Sequence, residues 1–562
     1  MKKKIVPFLF FIMLAAFPVV GQVTMGEKKK PEKFSVLELI SNNKMGLRLP
    51  QLTTQQRIDL TTQEFKANEL AEGLTIFNTD TKCVEVWNGK VWISKCAPLS
   101  NLCFDSSTKG TDFWVSFGNN FNSANPLLAL KISAEESTDV TLNFTKDGAT
   151  TTYTVGNNSL ITIDLSSVKD LGDKHNAVYL SSTTAGVYDN SLHITSIKPV
   201  SVYAFNTNSA TSDATVVLPA DALGNDYYRL SYAAFSGFYD FEIIIASQDN
   251  TDIFLDSGST PIQTLSKGQA YVNTVLTGDM TGRHITSSKP VAYFVHSTIA
   301  KIPTGRDNGD ILFEQMMPVN RWGKQFLVPN APEGPNTMNN HIRIIASEDG
   351  TTVAFIGATV VTTDASNNPI PNETIINSGE KLNAGQWVEL EIRGSNNAAC
   401  YISSDKPVGV AAYMVGSNST SIPSGDPSIA WIPPLNQSVQ SSIIAPFMFP
   451  FGVPNIQTNF DGLYGMSNDI PGAVFHYMII IAPTDKKDQT SVNGTIIPSA
   501  GWIDNTDSGY SYYYWFFDNI ADLNNIFKIT NSDGVIVLCG GVSQVESYYY
   551  NAGSGTCIIN ND

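Results

Sequence analysis

The stretch that decides the fold is Ile194-Thr195-Ser196-Ile197-Lys198-Pro199-Val200, because it returns along the chain. Two close copies are Ile285–Val291 and Ile402–Val408. A fourth copy, Ile529–Val535, has lost the Lys-Pro pair. Proline presets φ and lacks an N–H donor, so we place Lys-Pro at a turn that enters a strand. The alternation in Val200-Ser201-Val202-Tyr203 predicts the strand itself.

A second recurring string precedes each copy of the first. It is a hydrophobic strand ending in Ala, a turn that holds Asp, and a further strand, as in Ile244-Ile245-Ala246 with Asp249. Asp side chains stabilise turns by bonding nearby backbone, so we predict a hairpin there. Between copies, Pro219 with Gly224 matches Pro318 with Gly323. Such self-similarity predicts tandem structural units.

These strings predict an all-β protein of four tandem β-rich repeats, each sandwich-like, with a propeller-like arrangement as the alternative. A small N-terminal hairpin module precedes the repeats. The predicted divisions are a signal peptide at 1–21, a linker at 22–34, the module at 35–97, and repeats at 103–206, 207–297, 298–417 and 418–562, the last including a C-terminal segment.

The N-terminal module has its own local signals. Thr53-Thr54-Gln55-Gln56 fits a capping box and predicts a short helix that ends near Leu60. Three strands are predicted at Gly73–Phe77, Cys83–Trp87 and Val91–Ser94, and Asn88-Gly89 predicts a tight hairpin between the last two.

Composition narrows the class of protein. The 562 residues include 35 Lys and Arg against 52 Asp and Glu, a net charge of −17, which argues against a nucleic-acid partner. The first 22 residues read as a secretory signal, with Lys2–Lys4 before an apolar run that Pro18 interrupts. We therefore expect a secreted or cell-surface protein without a transmembrane segment after cleavage.

Six cysteines follow the predicted cleavage site, and an oxidising compartment favours disulfides. Cys83 and Cys96 flank the Asn88-Gly89 turn, so we predict a bridge between them. The pairing of the others stays open among Cys103, Cys400, Cys539 and Cys557.

Motifs for catalysis are absent from the sequence, which contains no Gly-x-Ser-x-Gly elbow, His-Glu-x-x-His or phosphate loop. His193 and His284 recur at one repeat position and read as structural. Glu389 and Glu391 share one face of a predicted strand. A carboxylate pair could serve glycoside hydrolysis, but we expect a solvated strand face instead. We expect no catalytic residue, no metal site and no cofactor.

Aromatic residues are the better functional lead. In the run Tyr510–Phe517, alternate side chains point to opposite faces of a strand. Tyr512, Tyr514 and Trp515 are the candidate ligand-binding residues, because an outward aromatic stripe suits sugar rings or a protein partner. The alternative is a strand that is buried on both faces.

The run Lys109–Phe117, with Gly110-Thr111-Asp112-Phe113-Trp114 at its centre, resembles the opening of the IgGFc-binding protein N-terminal domain family. The Ile-Ile-Ala-x-x-Asp and Ser-x-Lys-Pro-Val strings also resemble strings of that family, and the resemblance covers about 103–545. Residues 36–96 separately resemble an N-terminal module of exported Bacteroidetes-type proteins, through Leu37-Glu38-Leu39 and Trp87-Asn88-Gly89. The resemblance implies a secreted or surface protein; antibody binding does not carry over, since the trailing cysteine-rich domains are lacking.

The leading functional expectation is a non-catalytic binding or adhesion protein for glycans or mucin-like glycoproteins. A structural surface scaffold without a soluble ligand is the alternative, and a polysaccharide-active enzyme is the third possibility. The sequence does not name the ligand or the oligomeric state.

Overall fold

The computed structural model describes most of residues 107–558 and several shorter stretches before them. The residues outside this description are 1–22, 26–36, 40–48, 63–64, 66–70, 80–82, 88–91, 95–106, 122–125, 182, 209–210, 257, 333–339, 370–373, 395–396, 417–425, 440–442, 445–474, 518–525, 543–546 and 559–562.

The residues up to Leu99 form one compact unit. Helix α1 (Thr54–Leu60) begins with the predicted capping box, because Gln56 N–H donates to Thr53 Oγ1 over 3.1 Å and Thr53 N–H donates to Gln56 Oε1 over 2.9 Å. The strands are β1 (Val23–Met25), β2 (Leu37–Leu39), β3 (Gln51–Leu52), β4 (Thr75–Asn78), β5 (Cys83–Trp87) and β6 (Trp92–Ser94). Strands β5 and β6 pair antiparallel, and the turn residues Asn88 and Gly89 lie outside the described residues.

The residues from Ser100 onward form a second compact unit that is nearly all β, which confirms the predicted all-β, sandwich-like class. Its first strands are β7 (Lys109–Val115), β8 (Phe117–Gly118), β9 (Leu127–Ala134), β10 (Thr138–Phe144), β11 (Thr150–Val155), β12 (Ser159–Asp164), β13 (Tyr179–Leu180), β14 (Gly186–Tyr188), β15 (Leu192–Asn208) and β16 (Thr211–Val217). The next group is β17 (Gly224–Tyr228), β18 (Tyr239–Ala246), β19 (Thr251–Leu255), β20 (Gln263–Leu265), β21 (Ala270–Leu276), β22 (His284–Ala300) and β23 (Asp310–Gln315).

The third group is β24 (Gly323–Pro329), β25 (His341–Ala346), β26 (Thr351–Ile356), β27 (Ala358–Val360), β28 (Lys381–Leu382), β29 (Trp387–Ile392), β30 (Ala399–Met414) and β31 (Ser428–Trp431). The last is β32 (Ile443–Ile444), β33 (Phe475–Pro483), β34 (Ser491–Val492), β35 (Thr495–Ile496), β36 (Ile503–Asn505), β37 (Tyr510–Phe517), β38 (Lys528–Thr530), β39 (Ile536–Val542) and β40 (Ser547–Gly553). A one-turn helix, α2 (His175–Val178), interrupts the first group. No helix among the described residues has the length and apolar character to cross a membrane. The predicted repeat boundaries stay predictions.

The Lys-Pro motifs lie inside long, continuous strands. In β15, the residues before Lys198-Pro199 pair with β7 and β10, and the residues after it pair with β9 and β16. The register against β7 shifts between Thr195 and Val200. The prediction of a turn is therefore wrong. Proline has no N–H for the ladder, so pairing is interrupted at the motif while the strand continues and changes its partners.

The Asp-containing turns do not form hairpins, so that prediction is also wrong. Strands β18 and β19 both pair antiparallel with β22 and not with each other, so they run in the same direction along it, and β25 and β26 have the same relation to β30. The Asp-containing turn contacts the Lys-Pro motif directly: Lys406 Nζ donates to Asp349 O over 2.6 Å, and Ser347 Oγ donates to Pro407 O over 2.8 Å. The two strings recur together because they form one contact.

Four strands pack around one another in the middle of the second unit. Strand β16 contacts β23, β23 contacts β31, β31 contacts β40, and β40 contacts β16. We call these four strands the central ring; every residue in them is buried. Phe313 N–H donates to Asp213 Oδ2 and Gln315 N–H donates to Thr215 Oγ1, each over 3.0 Å, so β16 and β23 run in the same direction.

The two ends of the second unit meet where the ring closes. Thr108 N–H donates to Ser554 O over 3.1 Å, and Ser107 forms a β-bridge with Gly555. Cys557 N–H donates to Gln437 Oε1 over 2.9 Å. The C-terminal residues therefore contact the first group of strands and the start of the last group.

The same glycine–proline contact joins successive groups of strands. A Cβ atom added to Gly110, Gly224 or Gly323 would lie 2.3, 2.5 or 2.3 Å from the Cβ of Pro219, Pro318 or Pro434 respectively. Real Cβ atoms do not approach so closely. The recurring Pro and Gly of the sequence thus form a tight junction that leaves no room for a side chain.

We expect Gly224→Ala to lower the free energy of unfolding by about 1–3 kcal/mol, since the added methyl group overpacks the junction with Pro318. Urea unfolding measures this change. Gly186→Ala is the matched control, because its Cβ would lie an ordinary 3.7 Å from the Tyr188 ring. Equal stability of the two variants would contradict the tight junction.

Carboxyl groups lie buried inside the central ring. Glu314 accepts from Trp431 N–H over 3.2 Å through Oε1, while Oε2 has no hydrogen-bond partner among the described residues. Burial raises the pKa of Glu314 well above 4.5, and the nearby Asp213 raises it further. Burial likewise raises the pKa of Asp213. Both carboxyls therefore favour the protonated form in the folded protein.

We expect Glu314→Gln to stabilise the protein above pH 5. A raised pKa in the folded state means that the stabilising contribution is complete below the ordinary value of 4.5 and is lost as the pH rises. At pH 8 the variant should gain at least about 1.4 kcal/mol, the equivalent of one pKa unit. Unfolding at pH 5 and pH 8 measures the gain, with the exposed Glu136→Gln as control. A gain that does not grow with pH would refute the argument.

Candidate functional site

Hairpin connections gather at one end of the central ring. They join β15 to β16, β22 to β23, β30 to β31 and β39 to β40. The ring strands begin at the same end, because Ser428 Oγ donates to Asp213 Oδ1 over 2.7 Å and Asp426 N–H donates to Ser547 Oγ over 2.9 Å. We call this end the tip face, formed here by residues 119–121, 234–238, 301–309 and 361–369. Loops held on a rigid scaffold commonly carry binding residues.

A cleft of about 220 Å³ lies in the tip face beside the β22–β23 connection. Ala365 N–H donates to Thr304 O over 2.9 Å and fixes loop 361–369 against that connection. The residues that line the cleft are Pro303, Arg306, His341, Val361, Thr363, Asp364, Ala365 and Glu391. The wall therefore combines three apolar side chains with groups of both charges.

The carboxylates of the cleft already have partners. Asp364 Oδ1 accepts from Ser366 N–H and Asn368 N–H, each over 2.8 Å. Burial alone raises the pKa of Asp364, but these hydrogen bonds outweigh it and lower the pKa overall. Glu391 forms an ion pair with Arg393 over 2.9 Å. Both carboxyl groups are therefore held in place by partners within the protein.

Behind the cleft lies a buried ionic network. His341 Nδ1 donates to Glu389 Oε1 over 2.6 Å, and Arg343 Nε donates to Glu389 Oε2 over 2.9 Å. Burial alone raises the pKa of Glu389, but Arg343 and His341 outweigh it and lower the pKa to about 2. Arg343 also pairs with Asp279 over 2.8 Å. The expectation that Glu389 lies on a solvated face is therefore wrong, and its carboxylate is fully committed to these cations.

Arg306 differs from the other cations of this region. Its side chain is half-buried, and its Nε is buried without a hydrogen-bond partner among the described residues. No carboxylate of the described chain forms an ion pair with it. Arg306 is thus a charged donor of the cleft that forms no ion pair there.

A second feature of the tip face is a cluster of phenylalanine rings. Phe238 lies 5.8 Å from Phe121 and 6.2 Å from Phe235, measured between ring centroids. Phe235 is 40% exposed, and Lys301 Nζ lies 4.0 Å from its ring centroid. This cluster offers an exposed aromatic surface beside a cation.

The aromatic residues predicted as the binding site lie elsewhere, in β37. Tyr512 is 2% exposed and its hydroxyl donates to Asn397 O over 2.6 Å, so it does not belong to an outward stripe. Tyr514 is half-buried, and its hydroxyl donates to Asn330 O over 2.8 Å. Trp515 is half-buried on the other face. The strand packs on both faces, and a ligand role for Tyr514 and Trp515 stays a prediction.

The cysteines follow the disulfide expectation only in part. Cys557 is disulfide-bonded. Cys400 and Cys539 are free and buried, because they lie in β30 and β39 and pack into different core clusters. Burial raises the pKa of the Cys400 thiol to about 12. The Cys83–Cys96 bridge stays a prediction, since Cys96 and Cys103 lie outside the described residues.

The recurring histidines form matching stacks. His193 stacks on Trp114 with ring centroids 4.0 Å apart and contacts Asp112 over 3.0 Å. His284 stacks on Tyr228 at 4.3 Å and contacts the carboxylate of Asp226 over 2.8 Å. Within the described ranges, no three His, Cys, Asp or Glu side chains are grouped so as to hold a metal ion.

Sequence reasoning missed Arg306, His341 and Asp364 as site residues. These residues come from separate groups of strands, and no motif marks them. The available signal was loop length: 301–309 separates β22 from β23, whereas only two residues separate β15 from β16. The β30–β31 connection, 415–427, is also long. Long connections in some units of an otherwise similar set indicate functional insertions.

Comparison with known proteins assigns the second unit. A family model described as IgGFc binding protein matches residues 213–541, and one described as phage tail like trimerisation region matches residues 24–111. Human IgGFc-binding protein is 21% identical over 396 residues, which cover 65% of this chain and 7% of the human protein. This chain therefore spans only a small fraction of that relative's length. No solved structure matches.

The resemblance of residues 36–96 to a Bacteroidetes-type module finds no support, because the match there is to the trimerisation region. The resemblance of the repeats is confirmed. The matched segment at 213–541 covers more than half of the 562 residues. The chain therefore belongs to the IgGFc binding protein family.

Proposed function

We propose that this chain is an exported, non-catalytic binding protein that attaches to glycoproteins through its tip face. Family membership carries the proposal, since the human relative is named for binding the Fc portion of IgG. The geometry supports it in two ways. The tip face presents the Phe235 ring beside Lys301, and it also presents the polar cleft at Arg306.

Aromatic rings and polar clefts suit glycoproteins for different reasons. A ring such as Phe235 buries the apolar face of a sugar or a protein side chain. Arg306, Asp364 and Glu391 supply donors and acceptors that match sugar hydroxyls and peptide groups. The full commitment of Glu389 to Arg343 and His341 weakens the case for a carboxylate pair with Glu391 in hydrolysis.

A glycan and glycoprotein array that is probed with the full chain tests the proposal. We expect capture of a subset of glycoproteins, with weaker capture by Phe235→Ala. Ile197→Ala is the matched control, because Ile197 is 78% exposed and lies away from the tip face, in the Lys-Pro segment. Absence of capture by the unaltered chain would count against a binding function, and turnover of a polysaccharide panel would favour an enzyme.

A structural scaffold is the second candidate, and the match of residues 24–111 to a trimerisation region favours it. The two functions are compatible, because three copies on one support would raise avidity without any new contact. Analytical ultracentrifugation of the full chain tests this idea. We expect the mass of three chains, whereas a monomer at all concentrations would argue against it.

A further inference from the structure

We propose that the Arg306 cleft is a binding site for the carboxylate of an acidic sugar residue. The inference rests on the proposed function only for the source of that sugar, a glycoprotein. The observation behind it is the pairing of charges around the cleft, in which one cation, Arg306, has no ion-pair partner among the residues that the structure describes.

The other charged groups of the cleft are satisfied within the protein. Glu391 pairs with Arg393, and the carboxylate of Asp364 is held by backbone N–H groups. His341 Nδ1 is occupied by its hydrogen bond to Glu389 Oε1. None of these groups forms an ion pair with Arg306.

An unpaired guanidinium in a partly enclosed cleft favours an anionic ligand. The buried Nε of Arg306 has no hydrogen-bond partner in the described part of the chain, and the guanidinium's fork of donors matches the two oxygens of a carboxylate. Partial burial strengthens such a contact, because less water competes for the donors. A carboxylate at this position would satisfy the one orphaned donor of the cleft.

The remainder of the wall favours a sugar over a peptide as the bearer of that carboxylate. Asp364 and Glu391 are acceptors only, so they match hydroxyl groups, of which a sugar ring carries several. Pro303, Val361 and Ala365 provide an apolar wall for the C–H face of a ring. The volume of about 220 Å³ is small, and suits one sugar residue better than a longer segment.

Calorimetric titration of the full chain with sialyllactose and with lactose tests the inference, because the two differ by one carboxylate-bearing sugar. We expect binding of sialyllactose and little binding of lactose. Arg306→Gln should weaken the binding about 10- to 100-fold, the loss of a charge-assisted pair of hydrogen bonds. Arg306→Lys should recover part of it, since the charge remains but the fork is lost.

Lys324→Gln is the matched control, because it removes one positive charge from strand β24, whose residues do not line the cleft. It should bind sialyllactose like the unaltered chain. Unchanged melting temperatures would show that the Arg306 variants are folded. Equal affinity of Arg306→Gln and the unaltered chain would overturn the inference, as would equal affinity for lactose or equally strong competition by inorganic phosphate.

The array distinguishes this inference from the proposed function. If glycoproteins are captured equally before and after removal of their acidic sugars, the function stands and the Arg306 site is refuted. If no glycoprotein is captured but free sialyllactose binds in an Arg306-dependent way, the site stands and the proposed function is refuted.

Discussion

Glu389→Gln should lower the free energy of unfolding at pH 7 by about 3–5 kcal/mol, because removing one partner of a buried ion pair leaves the other charge uncompensated. Arg343 is 2% exposed and lies between aromatic rings, 3.8 Å from the Tyr232 centroid and 4.2 Å from the Trp387 centroid. Asp279 would remain as its only charged partner among the described residues, beside hydrogen bonds to Ser231 O and Thr281 Oγ1. The burial of Arg343 leaves little access for water to replace the lost carboxylate.

The effect should depend on pH in a stated direction. Arg343 and His341 hold the pKa of Glu389 at about 2, below its ordinary value of 4.5, against the opposing effect of burial. A lowered pKa contributes stability that is complete above 4.5 and is lost as the pH falls toward 2. The difference between Glu389→Gln and the unaltered protein should therefore shrink with acidification over that window.

Glu391→Gln is the control for both measurements. It removes a carboxylate from the same strand, but the side chain is 25% exposed and pairs with Arg393 at the surface. Such pairs contribute about 0–1 kcal/mol. Equal losses for the two variants would show that the buried network does not carry the stability that we assign to it.

Tyr512→Ala should cost about 3–5 kcal/mol of stability, since the ring is buried where β37 packs against the core of the third group of strands. Tyr512→Phe should cost about 1 kcal/mol, because it removes only the hydrogen bond to Asn397 O. Chemical denaturation measures both changes.

Phe516→Ala provides the comparison, because Phe516 points to the same side of β37 but is 46% exposed. Its substitution should change stability by less than half as much as Tyr512→Ala. If Tyr512→Ala weakened glycan capture while its unfolding curve stayed unchanged, the aromatic strand would be a binding surface after all.

Some features of this protein follow from local sequence alone. The capping box at Thr53 and Gln56 needs only neighbouring residues, and the structure contains it as predicted. The all-β class follows from the short alternating strings, which have no helical period. These are properties of the chain itself, because the φ restriction of proline and the alternation of strand side chains operate wherever the strings occur.

Other features depended on which strands became neighbours. Nothing local distinguishes Lys-Pro at a turn from Lys-Pro inside β15, or an Asp hairpin from an Asp turn whose two strands both pair with a third, because the difference is the identity of the hydrogen-bonding partner. The same holds for Glu389 and Tyr512, whose hydrogen-bond partners lie more than 10 residues away in sequence. It also holds for Arg306, whose Nε is buried without a hydrogen-bond partner among the described residues. The sequence by itself determined the repeating elements; the tertiary structure alone decided which charged and aromatic groups were desolvated and paired, because burial and pairing depend on groups that are distant in sequence.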